Sequence, residues 1–232
     1  ALRVVPTAGV DLRYTYDRSE IRDTPAFLAR TGLYPVVAPR PTAGSPYVRD
    51  LQRNRVNVEG HSLIGSWALS DQLTVKSITG YRVMNNRTYM DYHTGVFSQS
   101  PLQIATFDQH HEQTSEEVQL IGSAPNLDYI VGGYYFHEDG RSFDTGKLAT
   151  SQTDRTVSIK NTAYALFGQA TWKPSFLPDV ALTAGVRYSH DERRATLDYV
   201  TRNNAGQVTF TSPSGLGNRA FDNVSPYVSL AY

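Results

Sequence analysis

The sequence predicts an all-β fold: an antiparallel up-and-down transmembrane β-barrel segment of about eight strands, with short periplasmic turns and long extracellular loops. Three observations carry this. Apolar and polar residues alternate with a period of two in segment after segment, while helical periodicity is weak almost everywhere. The connections between these segments alternate long and short along the chain. Most segments also reach the roughly 9–11 residues that a tilted membrane strand needs, whereas strands of globular proteins cluster nearer about 5–6.

The first strand, 9–17, sets Val10, Leu12, Tyr14 and Tyr16 against Asp11, Arg13, Thr15 and Asp17. The second, 56–69, puts Leu63, Trp67 and Leu69 on one face and Ser62, Ser66 and Ser70 on the other, with Ile64 an exception. A tight turn leads into the third, 73–83, where Leu73, Val75, Tyr81 and Val83 oppose Lys76 and Arg82. The fourth, 113–122, has a blurred pattern around Glu116, Val118 and Leu120. After the Ser-Ala-Pro-Asn turn at 123–126 comes the fifth, 127–138, rich in Tyr and Gly. The sixth, 162–172, sets Tyr164, Leu166 and Trp172 against Ala163, Phe167, Gln169 and Thr171. In the seventh, 180–199, Leu182, Val186 and Tyr188 oppose Thr183, Arg187 and Ser189. The eighth, 223–232, carries Pro226, which belongs in an edge strand or a bulge because it has no N–H to donate.

The long connections are 18–55, 84–112, 139–161 and 201–222; the short ones are 70–72, 123–126 and 173–179. A soluble sandwich has no reason to place every long loop at one end. An outer-membrane barrel does, with brief turns on its periplasmic rim and long loops outside.

Composition agrees. Lys and Arg together number 22, as do Asp and Glu, and this balance argues against a nucleic-acid binder, which normally carries a basic stripe. Without cysteine there is neither a disulfide framework nor a Cys-based zinc site. Tyr (15) outnumbers Phe (9), which suits half-buried strands and interfaces wet on one side. No segment approaches the roughly 18 consecutive apolar residues of a membrane helix. Mean hydropathy is −0.40, ordinary for a barrel that alternates apolar-out with polar-in. The start, Ala1-Leu2-Arg3-Val4, reads as mature sequence rather than a signal peptide.

Several phrases resemble the barrels of TonB-dependent receptors. Leu73-Thr74-Val75-Lys76-Ser77-Ile78-Thr79-Gly80-Tyr81-Arg82 is similar to the family's L-T-x-x-S-I-T-x-Y-R strand. Gln113-Thr114-Ser115-Glu116-Glu117-Val118-Gln119-Leu120 resembles Q-x-S-x-E-x-R-L, with Gln119 in place of the usual Arg. Val131-Gly132-Gly133-Tyr134-Tyr135-Phe136 looks like x-G-x-Y-Y-F. The stretches 163–170 and 182–188 resemble x-Y-A-x-F-G-Q-x and L-x-x-G-x-R-Y, so that all five phrases fall in the family's order between Leu73 and Tyr188.

The resemblance implies an outer-membrane importer of a scarce ligand such as a ferric siderophore, haem, cobalamin or a carbohydrate, driven by TonB. It implies outer-membrane lipid, a plug domain of the same full-length protein, TonB and a small-molecule ligand as partners. Neither a plug nor a TonB box is seen, so residues 1–232 are expected to be a partial barrel domain. Such a piece alone would leave its outer strands unpaired against lipid and is not expected to be stable in a membrane. Two other readings stand beside it: a complete eight-stranded barrel serving as anchor or adhesin, and a soluble all-β binding module.

No residue is expected to do chemistry, and no cofactor or metal is expected. Ser189-His190-Asp191 are contiguous and cannot assemble a triad. Gly215-Leu216-Gly217-Asn218-Arg219-Ala220 lacks the helix that a dinucleotide site needs. Glu116 and Glu117 diverge as strand neighbours, so one of them faces the lumen or plug. His110 and His111 diverge likewise and cannot chelate one ion. The candidate ligand-binding residues are the aromatics of the 84–112 connection, Tyr89, Tyr92, His93, Phe97 and Phe107, which would lie on the outer rim. A girdle or loop self-packing is the competing role for them. By alternation, Lys76, Gln169 and Arg187 face the lumen or the plug.

Overall fold

The computed structural model describes residues 1–25, 54–92, 102–177 and 179–232. The strands are β1 (Leu2–Val4), β2 (Val10–Asp23), β3 (Asn54–Ser70), β4 (Leu73–Asp91), β5 (Leu102–Ala124), β6 (Leu127–Leu148), β7 (Ser151–Trp172), β8 (Ala181–Asn203), β9 (Val208–Thr211) and β10 (Gly215–Ala231). They form one sheet in which each strand pairs antiparallel with its neighbour in sequence, in the order β1-β2-β3-β4-β5-β6-β7-β8-β10. The short β9 pairs with the outer end of β8, and β10 takes over from Leu197 inward. This is the expected up-and-down meander. Among the described residues the sheet is open, with β1 and β10 at its two ends, and does not close into an eight-stranded barrel. Pro226 lies in the end strand β10, opposite Val186.

All eight expected strands are present, but the sequence underestimates their length. Residues 84–91 continue β4, 102–112 begin β5, and 215–222 belong to β10. The 139–161 connection shrinks to Ala149 and Thr150, between β6 and β7. What reads as long loops is in large part ribbon: hairpins that carry their hydrogen-bond ladder beyond the membrane band. The reason is physical. Once both faces meet water, either face accepts polar residues and the period-two signal fades. The backbone N–H and C=O groups still need partners, and the ladder supplies them.

Register assigns each side chain to a face. Val10, Trp67, Val75, Leu120, Val131 and Val186 lie on the same face, linked through strand pairing and period-two spacing. Along β8, Leu182, Ala184, Val186 and Tyr188 are exposed, while Thr183, Gly185, Arg187 and Ser189 between them are half-buried. Side chains crowd one another on the concave side of a curved sheet, so the apolar face is the convex one. It is ringed by aromatics at two heights. Trp67, Tyr129 and Trp172 stand near the short turns, with Phe176 edge-on to Trp172 at 6.1 Å. Tyr16 and Tyr81 flank His61 at 5.1 and 6.1 Å, and Tyr135, Tyr164 and Tyr188 carry the ring onward at the far side of the band.

Between the girdles, Val131 (54% exposed), Leu166 (68%) and Val186 (53%) are open to the surroundings. A continuous apolar belt of this kind has no place on a water-soluble sandwich. It is the lipid-facing surface of an outer-membrane strand array.

Candidate functional site

The concave wall collects the polar side chains. In the band, Lys76, Gln119, Gly132, Phe167, Arg187 and Ser225 form one cross-strand row. Gly132 lets this row close up: a Cβ there would stand 2.4 Å from Phe167 Cζ and 2.7 Å from the Val118 carbonyl oxygen. The Arg187 guanidinium lies 5.5 Å from the Tyr134 ring centre and 5.8 Å from that of Phe167, and its Nε donates to Ser189 Oγ at 3.1 Å. Two rings and a hydroxyl thus hold the cation in place without a carboxylate, and its remaining N–H groups stay available. Neither Arg187 nor Lys76 forms an ion pair with another described residue. Glu117 shares this face and accepts from Gln119. Glu116 points to the convex face, where Ser77 and Thr79 donate to its carboxylate at 2.6 and 2.5 Å.

Gln169 sits on the concave face opposite Ile130 and Gly185. It borders a cavity of about 420 Å³ at the short-turn end, with Thr74, Ile121, Asp128 and Thr171 among its walls. Lys76, Gln169 and Arg187 therefore lie on one wall, while they are spread over β4, β7 and β8.

Beyond the outer girdle the same wall changes character. Met84, Phe107, Val157, Ile159 and Leu197 all face the concave side there. Met84, His111, Gly140, Val157 and Ile159 border a small cavity of about 160 Å³. Two carboxylates on this stretch of wall are engaged. Glu138 contacts His111 Nε2 and accepts from Asn161 Nδ2 at 2.6 Å. Asp144, itself buried, accepts from Arg155 Nε at 2.9 Å and Nη2 at 2.5 Å, and from Ser142 Oγ at 2.5 Å.

The outer-rim aromatics do not converge as one cluster. Tyr89 is part of β4, buried on the convex side, and its backbone N–H donates to Asn54 Oδ1 at 2.8 Å. Phe107 is part of β5 and faces the concave side, opposite Thr88 and Asp144. Tyr92 follows the end of β4, and its hydroxyl meets Met90 Sδ at 3.1 Å. His93 and Phe97 lie outside the described residues. His110 and His111 point to opposite faces, the former bonding Asn85 Oδ1 at 2.8 Å. Sequence reasoning missed Asp144–Arg155 and the apolar wall because it placed both segments in loops. Carrying the alternation outward from Gly132 along β6 and from Phe167 along β7 would have put Asp144, Arg155, Val157 and Ile159 on one face.

No curated protein matches the chain. Among solved structures, the ferric yersiniabactin uptake receptor FyuA from Yersinia pestis is similar, with a TM-score of 0.67 and 16% identity over 96% of this chain. The match covers 32% of FyuA, so the chain spans about a third of that receptor's length. At this identity the likeness is one of fold. The sequence itself matches the family described as TonB dependent receptor-like, beta-barrel, over residues 4–232. With its meander of long strands, apolar outside and polar inside, the chain belongs to the TonB-dependent receptor β-barrel family, a family of bacterial outer-membrane proteins.

Proposed function

We propose that residues 1–232 are one part of the barrel of an outer-membrane importer, working with a plug domain and with TonB to bring in a scarce ligand. The observation that carries this reading is the division of the sheet into a lipid-compatible convex face and a polar concave wall. A wall of that kind surrounds a water-filled or plugged lumen, as large barrels do. The family match supports the same class of function. On this wall Arg187 and Lys76 would meet the plug or line the ligand path, and Gln169 would do so nearer the periplasm. Of the outer-rim aromatics, Phe107 faces that path.

Among ligand classes we favour a ferric siderophore over haem, cobalamin or a carbohydrate, because the similar solved structure is a ferric yersiniabactin uptake receptor. No residue is assigned a chemical step. The test is uptake by cells of the source bacterium with and without the gene for the full-length protein, supplied in turn with radio-iron chelates, haem, cobalamin and oligosaccharides. Loss of accumulation of one of these, on deletion of the gene and equally on deletion of tonB, is the expected result. Undiminished uptake of every ligand in both deletions would overturn the reading.

A further inference from the structure

The three short connections differ in kind. Asp71-Gln72 and Pro125-Asn126 are polar, whereas 173–179, Lys-Pro-Ser-Phe-Leu-Pro-Asp, carries two large apolar side chains in its middle. Phe176 is 73% exposed, and Leu177 beside it is exposed as well. The tip of a turn in water ordinarily carries Gly, Pro, Asn, Asp or Ser. This one presents a phenyl ring and an isobutyl group to its surroundings.

The turn continues the convex belt. Leu127, Trp172 and Leu182 are direct cross-strand partners on that face, all of them exposed. The Phe176 ring stands edge-on to Trp172, with 6.1 Å between the ring centres. The charge at the start of the turn goes the other way. Lys173 Nζ donates to Asp128 Oδ2 at 2.6 Å, and Asp128 lies on the concave wall, in one row with Ser123 and Thr171. Between Lys173 and Asp179 no residue is ionisable. The backbone also suits a medium poor in water. Lys173 N–H donates to the Asn126 carbonyl oxygen at 2.9 Å, Leu177 N–H to that of Pro174 at 3.0 Å, and Val180 N–H to that of Leu177 at 3.0 Å. The two prolines have no N–H to satisfy. Unpaired main-chain groups are what make entry into lipid costly.

We propose that the 173–179 turn is a membrane anchor, which dips Phe176 and Leu177 into the inner-leaflet phospholipid beside the belt. It rests on the reading of the convex belt as lipid-facing, with which it is continuous through Trp172. The occupant that fits is the glycerol and upper acyl region of phospholipid, where aromatic side chains gather. The exposed carboxylate of Asp179, at the foot of β8, keeps the insertion shallow. Because Phe176 packs against the convex side, a partner inside the lumen does not reach it.

The test reads depth with a nitroxide on a single introduced cysteine, in a cysteine-free full-length receptor folded into vesicles of phosphatidylethanolamine and phosphatidylglycerol. Collisions with oxygen report lipid, and collisions with a water-soluble nickel chelate report water. Labels at Ser175→Cys and Leu177→Cys should favour oxygen several-fold more than labels at Gln72→Cys and Asn126→Cys. They should lie about 5–10 Å into the boundary between headgroups and acyl chains, the depth of interfacial segments. Phe176→Ser with Leu177→Ser should return the label at Ser175→Cys to water, while heat-modifiable gel mobility shows that the barrel is folded; a label that stays in lipid overturns the proposal. Val131→Cys, within the belt, tests the underlying reading. If it reports lipid while the labels at 175 and 177 match those at 72 and 126, the anchor is overturned and the belt stands. Labels at 175 and 177 shielded from both reagents would mean that protein covers the turn, which overturns the anchor as well. A label at Val131→Cys that reports water ends both.

Discussion

Between the two aromatic girdles the convex face is apolar and the concave face polar, and in the ribbons beyond them the convex face turns polar while the concave face adds apolar side chains to its polar ones. Convex positions there carry ion pairs, such as Arg18–Glu59 at 3.5 Å, Arg87–Asp108 at 2.7 Å and Lys160–Asp139 at 3.1 Å. Concave positions there carry Met84, Phe107, Val157 and Ile159. The same strands run through both regions without a break. Strand geometry therefore decides which residues share a face, and the surroundings decide what that face should be made of. The convex face passes from lipid to water. The concave wall passes from polar side chains in the band to a mixture of polar and apolar ones in the ribbons.

The strongest way to break this comparison is to place one charge on each face of the band. Val131 lies on the convex face in one row with Leu120 and Gly168. Val131→Arg in the full-length receptor should cost about 2–4 kcal/mol, the penalty for a cation near the bilayer midplane. Gln169→Arg on the concave wall should change stability by less than about 1 kcal/mol, because the arginine remains in polar surroundings. Urea unfolding of protein folded into lipid vesicles measures both. Equal costs would mean that the two faces are wrongly assigned.

A smaller effect separates two adjacent glycines. Gly132 faces the crowded concave side, and an added Cβ collides with the Val118 carbonyl oxygen as well as with Phe167. The ring can rotate away, but the backbone cannot. Gly132→Ala should therefore cost about 1–3 kcal/mol, as overpacking does. Gly133 faces outward, where the nearest atom to a new Cβ is Leu166 Cδ2 at 3.6 Å. Gly133→Ala should stay within about 0.5 kcal/mol of wild type or gain slightly from a less flexible unfolded chain. The same unfolding measurement separates them.

In the ribbons, Asp144 is buried while its partner Arg155 is half exposed. Water screens that pair, so Asp144→Asn should cost only about 1 kcal/mol. The loss should be local. Hydrogen exchange should quicken in the outer halves of β6 and β7 while the band stays protected. Exchange that quickened throughout the band would show that ribbon and band open as one unit.

The legible parts of this molecule were those in which one face meets lipid. Residues 73–83, 162–172 and 180–199 alternate because Val75, Leu166 and Val186 must be apolar and Lys76, Gln169 and Arg187 need not be. The outer halves of β5, β6 and β7 carry no such constraint. Gln109 and Ser142 hydrogen-bond across the concave side at 3.4 Å while His110 and Arg141 alternate with them on the convex side, so these four positions are all polar and the period is lost there. The candidate site suffered for the same reason. Tyr89 and Phe107 looked like neighbours in one loop, whereas the continuing ladder sends them to opposite faces.

The smallest expected effect tests whether the convex ribbon face is bathed in water. Arg87 and Asp108 are direct cross-strand partners on β4 and β5, with side chains 68% and 53% exposed. An ion pair so open to solvent gains little over its two hydrated ions and must hold two long side chains still. A double-mutant cycle of Arg87→Ala and Asp108→Ala should give a coupling of no more than about 0.5 kcal/mol. That coupling should fade further as added salt shortens the screening length. A coupling well above about 1 kcal/mol that salt leaves intact would mean the pair is covered in the assembled receptor, since only a desolvated pair escapes screening. The change of the convex face from apolar in the band to polar in the ribbon would then need a different cause from the passage out of lipid into water.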